Sequence, residues 1–486
     1  MPRVVLTTLN ARYSHASLGL RYLAANMGDL AGDTQILEFV VAQRPADVLE
    51  RLLMAQPQIV GFGVYIWNVD ESTRLVAMLK AVRPDITIIV GGPEVSHEPD
   101  AQPIVAAADY LITGPGDLSF PRLARALLGG QRPPQKQIAG ETPDLGHLEL
   151  PYHLYTDEDI RHRLIYVEAS RGCPFKCEFC LSALDKTAWP FPLPALLAAL
   201  DALHRRGART FKFVDRTFNL NIKTSLAILD FFLERLDERL FLHFEVIPDH
   251  LPEALKTAIA RFQPGQLQLE VGIQTFNPAV QANISRRQNN AASTANLHWL
   301  RNHSHAHLHV DLIAGLPGED WNSFAAGFDQ LAALAPHEIQ VGILKRLRGT
   351  PISRHEHRFG LVFNPFPPYN ILASDQLDYF ALQRLGRFAR YWEMVANSGR
   401  FRNTVPLLLG DKPFDRFMAL SDWIFGQVGA THQIALERLT TLLYQWLADN
   451  GCRKASAHQA LLADFQACGT RNPPRALKAL LDHSIR

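Results

Sequence analysis

Three of the five cysteines in this 486-residue chain, Cys173, Cys177 and Cys180, lie within eight positions. Their C-x3-C-x2-C spacing directly follows a predicted strand, so one short loop carries all three thiols. Such a loop can bind three irons of a [4Fe–4S] cubane, which leaves the fourth iron open to a small chelating molecule. A structural zinc is the alternative, but closed zinc sites take four ligands and prefer paired C-x2-C knuckles. The remaining cysteines, Cys452 and Cys468, lie far away in a predicted helical region.

The composition narrows the classes of partner. The chain has 49 basic and 48 acidic residues and a formal net charge of +1, a balance that gives no support to nucleic-acid binding or to binding at a membrane surface. It has neither an apolar run of ~18 residues nor the apolar core of a secretory signal, so no membrane-spanning segment is expected. Few, clustered cysteines are typical of a reducing compartment, and we therefore expect a cytoplasmic protein.

The elements that must position the cysteines follow from hydrophobic periodicity. Up to about residue 130, apolar runs alternate with amphipathic stretches, which predicts five βα units and a doubly wound, Rossmann-like domain. Ligands of such sheets bind at the carboxyl ends of the strands. The predicted strands are Val4–Leu9, Ile36–Val40, Ile59–Ile66, Ile86–Val90 and Tyr110–Thr113.

A second βα series begins just before the cysteines and predicts an incomplete (β/α)6 barrel, in which catalytic groups follow the strands. Its predicted strands are Ile165–Glu168, Thr210–Val214, Phe241–Val246, Leu267–Ile273, His307–Ile313 and Glu338–Leu344. Beyond residue 360 the pattern is helical. The predicted α/β protein therefore consists of a Rossmann-like domain (1–135), a Gly- and Pro-rich linker (136–160), a barrel (161–360) and a helical C-terminal domain (361–486).

The cysteine spacing on the loop after the first barrel strand resembles that of the radical S-adenosylmethionine (SAM) superfamily. The resemblance implies a cluster that reductively cleaves SAM to a 5′-deoxyadenosyl radical. Further patches in the expected order imply candidate SAM-binding residues, although Asp311 is equally readable as a strand cap and Gly315 as a turn residue. The candidates are Phe179, Asp215, Glu270, Gln274, Asp311, Gly315 and Lys345.

The N-terminal domain resembles that of cobalamin-binding radical SAM proteins, in particular a subfamily with an uncharacterised helical C-terminal domain. Glycines at successive strand ends leave room for the nucleotide tail of a corrinoid. The implied cobalamin-binding residues are Asn10, Ser14, His15, Gly19, Tyr65, Trp67, Gly91, Gly92, Gly114 and Gly116.

The lower face of cobalt is a separate question. The Asp-x-His-x-x-Gly signature of the mutases is absent, which disfavours His15 as the lower cobalt ligand and leaves Tyr65 or Trp67 to shield that face. A dinucleotide domain is a weak alternative, because Gly61-x-Gly63 lies inside the third strand rather than after the first.

The resemblance implies methyl transfer from methylcobalamin to an unactivated carbon or phosphorus centre of a small-molecule or peptide substrate, with a flavodoxin- or ferredoxin-type electron donor. Cyclisation or oxidative rearrangement without methyl transfer is an alternative, and a non-catalytic iron–sulfur or corrinoid sensor is a minor one. No catalytic residue beyond the cofactor ligands is predicted, and the substrate cannot be read from the sequence.

Overall fold

The computed structural model describes residues 2–468. The N-terminal part is a six-stranded parallel sheet in the order β2-β1-β3-β4-β5-β6. Its strands are β1 (Val4–Asn10), β2 (Thr34–Val40), β3 (Ile59–Gly63), β4 (Thr87–Gly91), β5 (Tyr110–Thr113) and β6 (Gln137–Ala139). Its helices are α1 (Leu18–Ala25), α2 (Pro45–Met54), α3 (Val69–Val82), α4 (Pro103–Ala107) and α5 (Ser119–Leu128).

Helices cover both faces of this sheet, as expected for near-continuous apolar strands. All seven residues of β1 are buried. Alternate residues of the strand enter different core clusters: Val5 packs with residues of α2 and α3, whereas Val4 and Leu6 pack with residues of α1 and α5. The doubly wound architecture predicted from periodicity is therefore present.

The segment predicted to be an irregular linker contains regular structure. Strand β6 lies within it and pairs in parallel with β5. A 3-10 turn at Pro151–Leu154 and helix α6 (Asp157–His162) follow, and a capping box at Thr156 starts that helix. With three residues and no buried position, β6 shows no period in the sequence. Its partner strand, rather than its own pattern, makes it a strand.

The second parallel sheet has six strands in the order β14-β13-β12-β11-β10-β7. It contains the six strands predicted for the barrel, and a separate two-stranded ladder, β8 with β9, follows β7. The strands are β7 (Ile165–Val167), β8 (Ser170–Arg171), β9 (Trp189–Pro190), β10 (Thr210–Phe213), β11 (Phe241–Val246), β12 (Leu267–Gln274), β13 (His307–Ala314) and β14 (Glu338–Ile343). The helices are α7 (Leu193–Arg205), α8 (Ile222–Leu233), α9 (Glu253–Ile259), α10 (Pro278–Asn283), α11 (Asn290–His303) and α12 (Trp321–Ala333).

A short hairpin and five helices follow. They are β15 (Val362–Phe363), β16 (Ile371–Ala373), α13 (Tyr379–Trp392), α14 (Val405–Leu409), α15 (Pro413–Val428), α16 (Leu436–Asp449) and α17 (Lys454–Ala467). Leu439, Leu443 and Leu447 lie at helical spacing on α16 and are all buried, so this face of the helix packs in a core. No helix among the described residues is long and apolar enough to cross a membrane.

By compactness the chain forms two units. The first contains residues 1–269, 345–353 and 364–370, so the whole N-terminal sheet and the cysteine loop share one unit. The second contains residues 270–344, 354–363 and 371–486. In the second unit Phe328 of α12 packs edge-on against Phe388 and Trp392 of α13, with ring centroids 5.0 and 4.8 Å apart. The C-terminal helices thus share a core with a barrel helix.

Candidate cofactor site

The cysteine loop is closed at its base by the β8–β9 ladder, in which Arg171 pairs with Trp189. Above this ladder, the amide of Cys173 donates to the carbonyl of Asp185 at 2.8 Å. Gly172 between them has a φ of +89°, and a Cβ there would lie 2.5 Å from the carbonyl oxygen of Thr187. Only glycine fits so close a crossing of two backbones. The R-G-C order in the sequence therefore has a local steric cause.

None of the three thiols is in a disulfide. Cys173 and Cys177 are buried, and Cys180 is half-buried. Burial raises the pKa of Cys173, and the neighbouring Cys180 and Cys177 raise it further. Among residues 2–468, no three His, Cys, Asp or Glu side chains converge as ligands of a single metal ion. A cubane takes each thiolate on a different iron, so three adjacent cysteines on one loop fit a cluster better than a zinc ion.

Asp215, predicted as a SAM ligand, lies at the end of β10 and is buried. Its carboxylate accepts hydrogen bonds from the amide of Ala169, at 2.9 Å, and from the hydroxyl of Ser170, at 2.6 Å. Burial raises the pKa of Asp215 to about 7. In this structure its hydrogen bonds fasten the start of the cysteine loop.

In the second unit, buried apolar side chains alternate with polar side chains along β13. The polar side chains form one face of the strand, the polar wall. Leu308, Val310 and Leu312 of β13 are buried, whereas His309 and Asp311 point to the opposite face.

His309 lies between two carboxylates, with its ring nitrogens 3.1 Å from Asp311 and 3.1 Å from Glu338. Although burial lowers the pKa of His309, hydrogen bonds to these two carboxylates and the nearby Glu270 raise it to about 10. His309 is therefore a protonated imidazolium held between carboxylates. The polar wall to which it belongs includes Glu270 and Asp311, which are predicted SAM-binding residues.

Gln274 ends β12 with a φ of +67°, an uncommon conformation for a residue with a side chain. Its side-chain oxygen is buried without a hydrogen-bond partner. Strain and an unsatisfied polar atom together at a strand end are typical of functional positions. Gln274 therefore fits its predicted role toward a ligand.

The surroundings of the remaining predicted SAM-binding residues give less support to a ligand-binding role. Gly315 has a φ of +87°, and a Cβ there would lie 2.7 Å from the side chain of Ile371, so a packing role accounts for this glycine. Phe179 is half-buried in the cysteine loop, and Lys345 is exposed. The backbone of Lys345 bridges to Asn370.

Glycines do cluster at the carboxyl edge of the N-terminal sheet. Gly91 ends β4 and Gly92 follows it, and Gly114 and Gly116 follow β5. Gly92 has a φ of +112°, and a Cβ there would lie 2.4 Å from the carbonyl oxygen of Val64. Around Gly114, with a φ of +72°, a Cβ would meet nothing within 4 Å. The edge thus has one close backbone crossing, at Gly92, and one open position, at Gly114, and ligands of such sheets bind at this edge.

Most of the cobalamin-binding residues predicted after β1 are engaged in contacts within the protein. Asn10 is buried and donates both to the carbonyl of His15 and to Glu38, each at 3.0 Å. The carbonyl of Ser14 accepts from the amide of Leu164 at 2.9 Å. The His15 ring is half-buried, and burial lowers its pKa. Gly19 is exposed.

Tyr65 and Trp67 form a stacked pair after β3, with ring centroids 4.5 Å apart and an interplanar angle of 7°. Trp67 is 48% exposed, and its indole nitrogen donates to the carbonyl of Leu9 at 3.2 Å. An exposed aromatic plate at the carboxyl edge can receive a flat ligand. The geometry suits the predicted shielding role of these two residues.

The sequence-based predictions omit several residues that form ion pairs at these sites. Glu168 and Arg171 lie just before the first cysteine of the loop, and Asp117 follows the glycines of β5, but the sequence-based predictions give none of them a role. His309 and Glu338 were also unassigned. A signal was available for His309, since a histidine two positions before Asp311 on a strand shares its face.

Comparison with known families accords with this geometry. Residues 4–124 match the B12 binding domain family, and residues 167–331 match the Radical SAM superfamily. Residues 357–481 match a family described as a protein of unknown function (DUF4080). The chain thus combines a B12 binding domain with a Radical SAM domain. The predicted family and fold class are confirmed, and the predicted cofactors agree with the two matching domains.

Relatives of this B12-binding radical SAM protein include methyltransferases. TokK of Streptomyces tokunonensis, a cobalamin-dependent radical SAM methyltransferase, is 22% identical over 358 residues, which are 63% of this chain and 50% of TokK. An uncharacterized methyltransferase of Pyrococcus horikoshii is 25% identical over 236 residues, 43% of this chain and 51% of that protein. The chain spans about half the length of these relatives.

Solved structures share the fold of this B12-binding radical SAM protein. The cobalamin-dependent S-adenosylmethionine radical enzyme OxsB superposes with a TM-score of 0.65 at 13% identity, over 99% of this chain and 84% of OxsB. The radical S-adenosylmethionine methyltransferase TsrM of Kitasatospora setae gives a TM-score of 0.60 at 18% identity, over 77% and 80% of the two chains.

Proposed function

We propose that this protein is a cobalamin-dependent radical SAM methyltransferase acting on an unactivated carbon or phosphorus centre of a small-molecule or peptide substrate. One observation carries the proposal: the glycine-lined edge of the N-terminal sheet and the cysteine loop lie in one compact unit and are joined by a direct ion pair between Asp117 and Arg171. Methyltransferases among the relatives support the same reaction class.

Each residue set has a defined part in this proposal. When bound, the cluster would supply the electron that cleaves SAM, and the corrinoid would carry the methyl group. Cys173, Cys177 and Cys180 would hold the cluster. At the carboxyl edge of the N-terminal sheet, Gly92 lets the backbone pass close to the Val64 carbonyl, and Gly114 leaves open space for a corrinoid tail. Tyr65 and Trp67 present a flat surface at the same edge. Gln274 has a buried amide oxygen without a hydrogen-bond partner and is a proposed SAM-site residue. Phe179, Glu270, Asp311, Gly315 and Lys345 remain proposed SAM-site residues.

The proposal also includes an electron donor and a cellular compartment. A cluster of this kind needs an external electron donor of the flavodoxin or ferredoxin type, and a reducing compartment such as the cytoplasm keeps its thiols available. The predominance of methyltransferases among the relatives places methyl transfer ahead of cyclisation.

The test is anaerobic reconstitution of the full chain with iron, sulfide and hydroxocobalamin. We expect the spectrum of the reduced cluster to change on addition of SAM, and substrate turnover to yield both S-adenosylhomocysteine and 5′-deoxyadenosine. Replacing any of the three loop cysteines by alanine should abolish the cluster, whereas Cys452→Ala is the matched control and should retain it. Deoxyadenosine without S-adenosylhomocysteine would reject methyl transfer, and a centre unaffected by SAM would reject the radical SAM assignment.

A further inference from the structure

Arg171 connects the cysteine loop to the N-terminal domain. It lies two positions before Cys173, and its side chain reaches in two directions. One terminal nitrogen donates to the carboxylate of Asp117 at 3.0 Å, and Nε donates to Glu168 at 2.8 Å. Asp117 follows Gly114 and Gly116 at the end of β5. A single guanidinium therefore ties the loop at the proposed corrinoid edge to the loop of the proposed cluster.

The surroundings of Arg171 distinguish it from a surface ion pair. Asp117 and Glu168 are both buried, and the Arg171 guanidinium stacks on the ring of Tyr22 in α1, 4.4 Å from its centroid. A buried carboxylate is costly without its partner, because it has lost water and has no other compensating charge. The planar fork of arginine serves two carboxylates at once in a way that the point charge of lysine cannot. The contact is thus both strong and directional.

A second arginine acts on the adjacent strand end. Arg348 donates to the buried Glu94 at 3.0 Å and to Glu98 at 2.7 Å. The hydroxyl of Tyr369 donates to the same Glu94 oxygen at 2.7 Å. Glu94 comes shortly after Gly91 and Gly92 at the end of β4. Arg171 lies 54 positions from Asp117, and Arg348 lies 254 positions from Glu94. Both contacts therefore join distant parts of the first unit.

We propose that Arg171 and Arg348 are positioning residues that hold the loops after β5 and β4 and thereby set the distance between the corrinoid and the iron–sulfur cluster. This inference rests on the proposed function for the identity of the two cofactors. The ion pairs themselves are properties of the chain alone. Arg171 fastens the loop after β5 to the cysteine loop, and Arg348 fastens the loop after β4 to the segment 345–353, so two neighbouring strand ends are each held from outside the N-terminal sheet.

The experiment compares the full chain with Arg171→Met, which removes the charge at similar length, and with Arg171→Lys. Arg122→Met is the matched control, because Arg122 pairs with Glu141 at 2.7 Å in a contact where both side chains are more than half exposed. Exposed pairs of this kind contribute little. Hydrogen–deuterium exchange of the cofactor-free chain reports on residues 114–118 and 168–173. In the reconstituted, reduced protein, pulsed electron paramagnetic resonance measures the distribution of distances between the cluster and cob(II)alamin.

We expect Arg171→Met to exchange roughly tenfold faster in both segments, as for a local opening made easier, and to broaden the distance distribution while iron and cobalt contents stay the same. Arg171→Lys should fall between, and Arg122→Met should match the unmodified chain. Unchanged exchange and an unchanged distribution in Arg171→Met would overturn the proposal. Should that variant fail to fold, Asp117→Asn removes the same charge pair with little change in volume and is judged by the same two measurements.

The two measurements, hydrogen–deuterium exchange and the cluster-to-cobalt distance, distinguish a failure of the positioning role from a failure of the proposed function. A chain that binds no corrinoid would refute the function, while faster exchange in Arg171→Met would still show that the arginine fastens both loops. A chain that binds both cofactors at one sharp distance in every variant would leave the function standing and refute the positioning role.

Discussion

His309 is a charged side chain whose state depends on its neighbours across two strands. Asp311 lies on its own strand, Glu338 lies on β14, and Glu270 on β12 adds a further negative charge. Glu338 is shared with His307, whose Nε2 lies 2.8 Å from it, and these contacts lower the pKa of Glu338 to about 2. The polar wall of the second unit is therefore an ionic network rather than a set of independent side chains.

Replacing His309 by glutamine should flatten the pH dependence of stability. The pKa of His309 rises from 6.5 to about 10 on folding, so its contribution is fully present below pH 6.5 and is lost as the pH rises to about 10. At about 1.4 kcal/mol per unit, the loss in the unmodified chain is a few kcal/mol. Urea unfolding between pH 6.5 and 10 measures it. His147→Gln, at an exposed histidine, is the control, and an equal slope in His309→Gln would contradict the ion-pair interpretation.

Gly92 is constrained by backbone rather than by side chains. Gly92→Ala should destabilise the chain by about 1–3 kcal/mol or more, because it adds both a strained φ and a clash with the Val64 carbonyl. It should also lower cobalamin retention. Gly386→Ala is the control, since that helical position has open space and alanine is favoured there by about 1 kcal/mol. Thermal unfolding distinguishes the two, and equal melting temperatures would count against a steric requirement at Gly92.

Among the elements, α13 and α15 are held together by aromatic packing. Phe388 of α13 is fully buried and lies with its ring centroid 5.1 Å from that of Phe417 and 5.2 Å from that of Phe414. Both partners are on α15. The buried faces of α13 and α15 therefore meet ring against ring, and this contact rather than helix propensity stabilises the two helices.

Phe388→Ala should cost about 3 to 5 kcal/mol of unfolding free energy, because it removes a buried ring and leaves a cavity. Phe380→Ala on the same helix is the matched control, since Phe380 is 73% exposed and should change stability by less than about 0.5 kcal/mol. Chemical denaturation of both variants gives the comparison. A similar loss at the two positions would mean that the ring contacts do not carry this stability.

Across the whole molecule, the compact units interleave along the chain. The second unit combines residues 270–344 with residues 371–486, and Phe328 of α12 has its ring partners on the C-terminal helices. The helical region that follows residue 360 thus completes the core of α12.

A fragment that ends at residue 360 should therefore not fold as a stable protein. It lacks α13 and α15, so Phe324 and Phe328 of α12 would face water, and a large exposed apolar patch favours aggregation. We expect the fragment to bind 8-anilinonaphthalene-1-sulfonate and to elute as aggregates, in contrast to the full chain. A monomeric fragment with a cooperative unfolding transition would show that the barrel helices are complete without the tail.

Local patterns in the sequence were enough for the cysteine loop and for most strands of the two βα series, because each depends on spacing within a few residues. The same is true of Gly92 and Gly114, whose place after a strand follows from the chain order. The short strand β6 was missed because its pairing with β5, not its own residues, creates it.

Partnerships between distant residues were decided only in three dimensions. Arg171 meets Asp117, His309 meets Glu338, and Asp215 turns its carboxylate to Ala169 and Ser170 because the folded sheets bring these groups together. A charged side chain can pair with any opposite charge within reach, and reach is set by packing rather than by position along the chain. For this reason the three cysteines could be proposed as cluster ligands from the sequence, while the groups that orient their loop followed from the tertiary structure.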